Sequence, residues 1–101
     1  MLEKINNVFI IGIKGVGMAN LALILKKMGK NVYGSDIDEE FITDKFLTKE
    51  NIVATTGFSP FNILSDIQVV IYSAAHGGGE NAQVLEAKKR KIKVMHQAEF
   101  I

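Results

Sequence analysis

Apolar residues run from Val8 to Ile13 with only Gly12 between them. A run of this kind, rich in β-branched side chains and closing on glycine, predicts a strand covered on both faces, as in parallel sheets. The period then changes. Met18, Leu21, Ala22, Leu25 and Met28 recur at helical spacing, Lys26 and Lys27 fall where the helix dipole is negative, and Gly29 suits a left-handed cap. The alternation repeats along the chain. "NVYGSD" (31–36) predicts a second strand, Glu39 to Lys49 a second helix with acids first and lysines late, and "NIVAT" (51–55) a third strand. "GFSPFNILSD" (57–66), with the only proline, interrupts the pattern as a connecting loop carrying a short helical turn. "IQVVIYSAA" (67–75) predicts the longest buried strand, "ENAQVLEAKKR" (80–90) a helix, and "IKVMH" (92–96) a last strand.

This alternation predicts an α/β protein with a Rossmann-like, doubly wound five-stranded parallel sheet and helices on both faces. Right-handed crossovers and a reversal after the third strand give the order 3-2-1-4-5, with the ligand crevice between the first and fourth strands. With 101 residues and 48% hydrophobic composition, residues 1–101 are expected to form one domain around one core. Charge and cysteine content act mainly by exclusion. A formal net charge of +1 lacks the broad basic footprint of a nucleic-acid or anionic-lipid binder. Absence of cysteine removes disulfides and thiolate metal sites, and no apolar run reaches the roughly 20 residues that span a bilayer. The expectation is a cytoplasmic protein with no nucleic-acid or membrane partner.

The candidate chemistry lies in the turn after the first strand. Gly12, Gly15 and Gly17 allow a tight turn and bring backbone N–H groups to the positive end of a helix, the arrangement that binds pyrophosphate. In the dinucleotide pattern G-x-G-x-x-G the first and third positions are Gly12 and Gly17, but the second is Lys14. A lysine there is either a solvated loop residue or a point charge for a phosphate. Asp36 ends the second strand where this fold places a ribose-binding acid; its alternative role is to cap the second helix together with Ser35 and Asp38. Ser73, Ala74, Ala75 and His76 leave the fourth strand on the rim of the crevice, where small residues give a ligand space. His76 has no visible partner in the sequence, Gly77 to Gly79 read as a flexible connection, and His96 and Glu99 as surface or boundary residues. No residue set with catalytic or metal-ligating spacing is evident.

Taken together, "FIIGIKGVGMANLALIL", "VYGSDI", "FITDKFLTKENI", "IYSAA" and "VMHQAEFI" resemble the N-terminal domain of the Mur ligase family, in its alanine-adding branch. The similarity covers nearly the whole chain. The family's loop commonly looks like "GIGGIGM", and a recurring variant carries lysine as "GIKG-G-M". The resemblance implies a domain that holds the UDP part of UDP-N-acetylmuramic acid. Gly12, Ile13, Lys14, Gly15, Val16, Gly17 and Met18 would lie on the phosphates, Ser35 and Asp36 near the uridine, and Ser73 to His76 along the crevice. Three departures concern the uridine side and substrate: Ala19 and Asn20 replace a small polar pair, Phe58 stands where many members have histidine, and "AAHGGGENAQ" lacks "NPE". Family members continue into an ATP-binding domain and an amino-acid-binding domain, and ATP and Mg are needed for ligation. Nothing here matches G-x-x-x-x-G-K-[ST], so these residues alone are expected to show neither ATP hydrolysis nor amide formation.

Other readings of the same residues are an NAD-binding domain of an oxidoreductase or nucleotide sensor, supported by Gly12, Gly17 and Asp36, and a partner-binding module without ligand. Within the family, a murein-peptide recycling ligase shares much of this domain.

Overall fold

The computed structural model describes residues 2–100; Ile101, the last residue of the "VMHQAEFI" stretch, lies outside them. Five parallel strands form one sheet in the order β3-β2-β1-β4-β5, as the alternating pattern predicts. They are β1 (Asn7–Ile11), β2 (Asn31–Asp36), β3 (Ala54–Thr56), β4 (Val69–Tyr72) and β5 (Lys93–His96). Helices α1 (Val16–Lys27), α2 (Asp44–Lys49), α3 (Ala82–Lys89) and α4 (Gln97–Phe100) connect or follow them. In the central register Ile10 stands beside Gly34 on one side and Ile71 on the other.

The continuous apolar runs serve both faces because successive residues of a strand point oppositely. Val8, Ile10, Val69 and Ile71 pack with Met18, Ala22 and Leu25 of α1 and Leu47 of α2. Phe9, Ile11 and Val70 face the other way, against Val84 and Ala87 of α3 and Ile63 and Ile67 of the long loop. The helix α1 stops as its sequence predicts: Gly29 adopts φ 86° and its N–H donates to the Lys26 carbonyl.

Several boundaries differ from the sequence expectation. The second helix begins at Asp44, not Glu39. Residues 37–43 are irregular, and Phe41 N–H is taken by the Asp44 carboxylate, so the acids that mimic a first turn belong to the approach. The third strand starts at Ala54 because Asn51, at φ 60°, and Ile52, whose N–H donates to Leu47 O, close α2. Strand β4 ends at Tyr72. Ser73 then turns the chain, its Oγ accepting the Ala75 N–H. Gly78–Glu80 form a 3-10 turn, and Asn81 caps α3 by accepting Gln83 N–H through its side chain at 2.8 Å. The proline loop does carry its short turn, Pro60–Asn62, which Arg90 ties to α3 through bonds to the Ile63 and Pro60 carbonyls.

Candidate functional site

The carboxyl ends of β1 and β4 meet at the point where strand order reverses, the location at which doubly wound sheets bind ligands. Here β1 delivers the glycine turn. Gly12 holds φ 76°, and Gly12 and Ile13 both donate their N–H groups to the Ser35 carbonyl, at 2.8 and 3.1 Å. The Gly15 N–H closes the turn onto Gly12 O at 3.1 Å, and α1 starts immediately afterwards. Gly15 is the N-cap; it offers no side chain, and the first turn has no acid. The N-terminal N–H groups of α1, which no helix can satisfy internally, therefore face outward with the positive end of the dipole uncompensated. Val16 and Gly17 are exposed there, while Met18 turns into the core.

Asp36 organises this turn. It is 1% exposed, its Oδ2 accepts Lys14 N–H at 2.9 Å and its Oδ1 accepts Ile37 N–H at 2.7 Å. The alternative in which Asp36 caps the second helix is corrected by the structure: α2 starts at Asp44 with Thr43 at its N-cap. The partner role of Ser35 is also structural. It is fully buried and donates to Gln83 Oε1 at 2.6 Å, while Gln83 Nε2 donates to Ser59 O, so this chain of hydrogen bonds links β2, α3 and the proline loop.

Lys14 belongs to the turn through its backbone, but its amine is directed to the segment before α2. Its Nζ donates to Glu39 O at 2.8 Å, lies 3.4 Å from Asp44 Oδ1 and stands over the Phe41 ring. Thr43 Oγ1 in turn donates to Lys14 O. The Asp44 Oδ1 atom is buried without a hydrogen bond, so the Lys14 ammonium is its charge partner. An open cleft of about 460 Å³ bounded by Lys14, Asp44, Leu47 and Val53 lies here, between α2 and β3 and apart from the β1/β4 switch point. Lys14→Ala is expected to lower stability by roughly 1–2 kcal/mol, the range for a charged hydrogen bond discounted for partial exposure. Affinity for a nucleoside diphosphate is expected to change less than about threefold, well under 1 kcal/mol. Chemical denaturation beside a UDP titration checks both; an affinity loss with unchanged stability would put the amine on the phosphates.

Across the turn from β4, Ser73 is half-buried and Ala74 and Ala75 are exposed, which leaves the rim open. The partners of His76 are found only in three dimensions. Its ring lies against Gly12, where an added Cβ would stand 3.0 Å from His76 Cδ2. Its Nε2 is 3.6 Å from Asp36 Oδ1, and its ring lies against Phe58 with centroids 4.9 Å apart and planes tilted by 37°. A further neighbour has no sequence signal beyond its position after the last strand. Gln97, opening α4, lays its amide on Gly17, where an added Cβ would be 2.7 Å from Nε2. His96, read as a boundary residue, packs edge-on against Tyr72, and its N–H donates to Glu99. Among the described residues no cluster of acids and histidines is arranged to hold a metal, and no helix is long and apolar enough to cross a membrane.

Comparison with known proteins identifies the family and the fold. The family model described as "Mur ligase family, catalytic domain" matches residues 7–101. A UDP-N-acetylmuramate–L-alanine ligase of Aquifex aeolicus is 41% identical over 99 residues, covering 98% of this chain and 21% of that protein. The ligase of the same name from Treponema pallidum is 39% identical, covering 93% and 20%. The crystal structure of a UDP-N-acetylmuramate-alanine ligase from Thermotoga maritima superposes with a TM-score of 0.83 at 28% identity, over 93% of this chain and 21% of that one. A murein peptide ligase from Psychrobacter arcticus shares the fold, with a TM-score of 0.83 at 19% identity over 94% and 20%. The chain thus spans about a fifth of the length of the relatives it matches.

Proposed function

Because this chain belongs to the Mur ligase family, we propose that it holds the UDP part of UDP-N-acetylmuramic acid for a ligase that joins L-alanine to the muramoyl carboxylate. The observation that carries the reading is the glycine turn Gly12–Gly17, which presents the uncapped start of α1 at the β1/β4 switch point. A pyrophosphate gains there from backbone N–H groups and the helix dipole, without needing a basic side chain. In this arrangement the N–H groups of Val16, Gly17 and Met18 at the start of α1 carry the phosphates, while Gly12, Ile13, Lys14 and Gly15, whose N–H groups are taken by Ser35 O, Asp36 and Gly12 O, shape the turn beneath them. Asp36 bounds the nucleoside side, Ser73 to Ala75 form the opposite wall with the sugar extending past Ser73, and His76 reaches from that wall across to Asp36. Ser35 acts from beneath by fixing the turn.

In the complete reaction ATP converts the muramoyl carboxylate to an acyl phosphate that the alanine amine attacks. ATP and Mg would be bound outside this sequence, which has no phosphate loop of the G-x-x-x-x-G-K-[ST] kind. These residues alone would then bind nucleotide sugar without turning it over, in the cytoplasm, beside the remaining domains of the ligase. The higher identity to the alanine-adding structure than to the murein peptide ligase favours the former substrate class.

Ligand-observed NMR with UDP, UDP-N-acetylmuramic acid and NADH tests the assignment. The expected result is saturable binding of the two uridine nucleotides, with amide shifts concentrated between Gly12 and Met18, and weaker binding of NADH. Preference for NADH would replace this reading with that of an oxidoreductase domain.

A further inference from the structure

The nucleoside side of the crevice already has an occupant. His76 leaves β4 yet crosses the glycine turn of β1 to reach the end of β2 and the residue that follows β3 by two positions, Phe58. Its ring is packed against Gly12 so closely that a methyl group would not fit freely between them. It faces Asp36 Oδ1, the end-of-strand carboxylate that this fold turns toward a ribose. The backbone that holds it there is unusual: His76 has φ 56°, and Gly77 and Gly78 follow at 88° and 54°. Histidine tolerates this left-handed region better than most residues, and glycine adopts it freely. The Asn81 Nδ2 donates to His76 O at 2.9 Å, so the peptide is anchored to the start of α3 while the side chain alone spans the crevice.

We propose that the His76 imidazole is an internal placeholder in the nucleoside subsite, which a nucleoside diphosphate must displace to reach Asp36 and Phe58. The inference rests on the nucleotide-binding reading given above and adds a residue that sets its affinity. A flat, polar imidazole packed at a tilt against Phe58 covers the same surface that a pyrimidine base and ribose would use. Side-chain rotation of His76 uncovers the Phe58 ring for the base and frees Oδ1 of Asp36 for a hydroxyl. Ligand affinity is then reduced by the fraction of molecules in which the ring is seated.

The test compares the wild-type chain with His76→Gly, which suits the positive φ, and Phe58→Leu, which removes the stacking partner. Circular dichroism first establishes that each is folded. If the ring is seated in most molecules, His76→Gly should bind UDP and uridine about three- to tenfold more tightly, with inorganic pyrophosphate unchanged, whereas Phe58→Leu, which takes the aromatic platform from the base as well as from His76, should bind both more weakly than His76→Gly does. In the wild type, the ring-current shifts that Phe58 imposes on the His76 imidazole protons should disappear as UDP saturates. Weaker or unchanged UDP binding by His76→Gly, or retention of the ring-current shifts at saturation, would overturn the placeholder and leave the nucleotide reading intact. Failure of the wild type and both variants to bind any uridine nucleotide would overturn both.

Discussion

Gly34→Ala is expected to be the most damaging single-methyl change in this domain, lowering stability by about 3 kcal/mol or more. Gly34 sits inside β2, paired with Ile10 of β1 and Ala54 of β3. A Cβ at this position would lie 2.6 Å from the Ile10 carbonyl oxygen, 2.6 Å from Ile13 Cδ1 and 2.8 Å from Ile13 Cβ. Relief is not local. Ile10 O is backbone of the central strand, and Ile13 is fully buried at the turn that opens α1. Separating β1 from β2 would also pull on the bonds from Gly12 and Ile13 to Ser35 O. At about 4–8 °C of melting temperature per kcal/mol for a domain of this size, the midpoint should fall by roughly 12 °C or more. Thermal unfolding followed by circular dichroism measures it. A midpoint within a few degrees of wild type would show that the β1–β2 spacing yields easily.

The signal for Gly34 is present in the sequence, as an isolated glycine within the strand "NVYGSD", where glycine commonly marks a close backbone approach. What approaches it is not legible, because Ile13 comes from a turn whose path depends on tertiary contacts. The same division holds across the fold. Strand order and the start and stop of α1 follow from local period, glycine placement and crossover handedness, all of which act over short stretches or obey general chirality rules. Boundaries fail where a side chain from elsewhere takes over a backbone group. Residues 39–43 have a helix-like charge pattern but are held open by the Lys14 amine on Glu39 O and by Asp44 on Phe41 N–H. Four-residue α4 is too short to show a period, so Gln97 gives no warning that its amide will cover Gly17.

The candidate site was legible as a set of positions and illegible as a set of directions. Gly12 to Gly17, Asp36 and the end of β4 converge as the doubly wound topology requires. Whether a side chain faces the crevice or the interior is decided by partners 18 to 48 positions away. Lys14 meets Glu39 and Asp44, Ser35 meets Gln83, and His76 meets Asp36 and Phe58. Each of these pairs joins different elements of the fold. No linear spacing records them.

Asp36→Ala is the second change with a large expected effect, and it acts on the turn before it acts on any ligand. The carboxylate receives one backbone N–H from each side of the switch region, Lys14 on Oδ2 and Ile37 on Oδ1, and is almost completely buried. Alanine would leave both donors in a poorly solvated place. Charged hydrogen bonds are worth about 1.5–3 kcal/mol each, and a buried unsatisfied donor costs about 1–3, so a stability loss of roughly 2–4 kcal/mol is expected. Asp36→Asn separates charge from shape: its amide nitrogen must face one of two N–H donors, so it should recover only part of the loss. The Lys14 amide proton should report the same event, moving upfield in both variants as its charged acceptor disappears. Affinity for inorganic pyrophosphate should fall along with stability, because the turn that carries the N–H groups is loosened, and UDP should lose at least as much. An unfolding free energy within about 0.5 kcal/mol of wild type, the range of a neutral surface change, would mean that the carboxylate does not brace the turn. Any affinity loss would then have to come from a direct contact between Asp36 and the nucleoside.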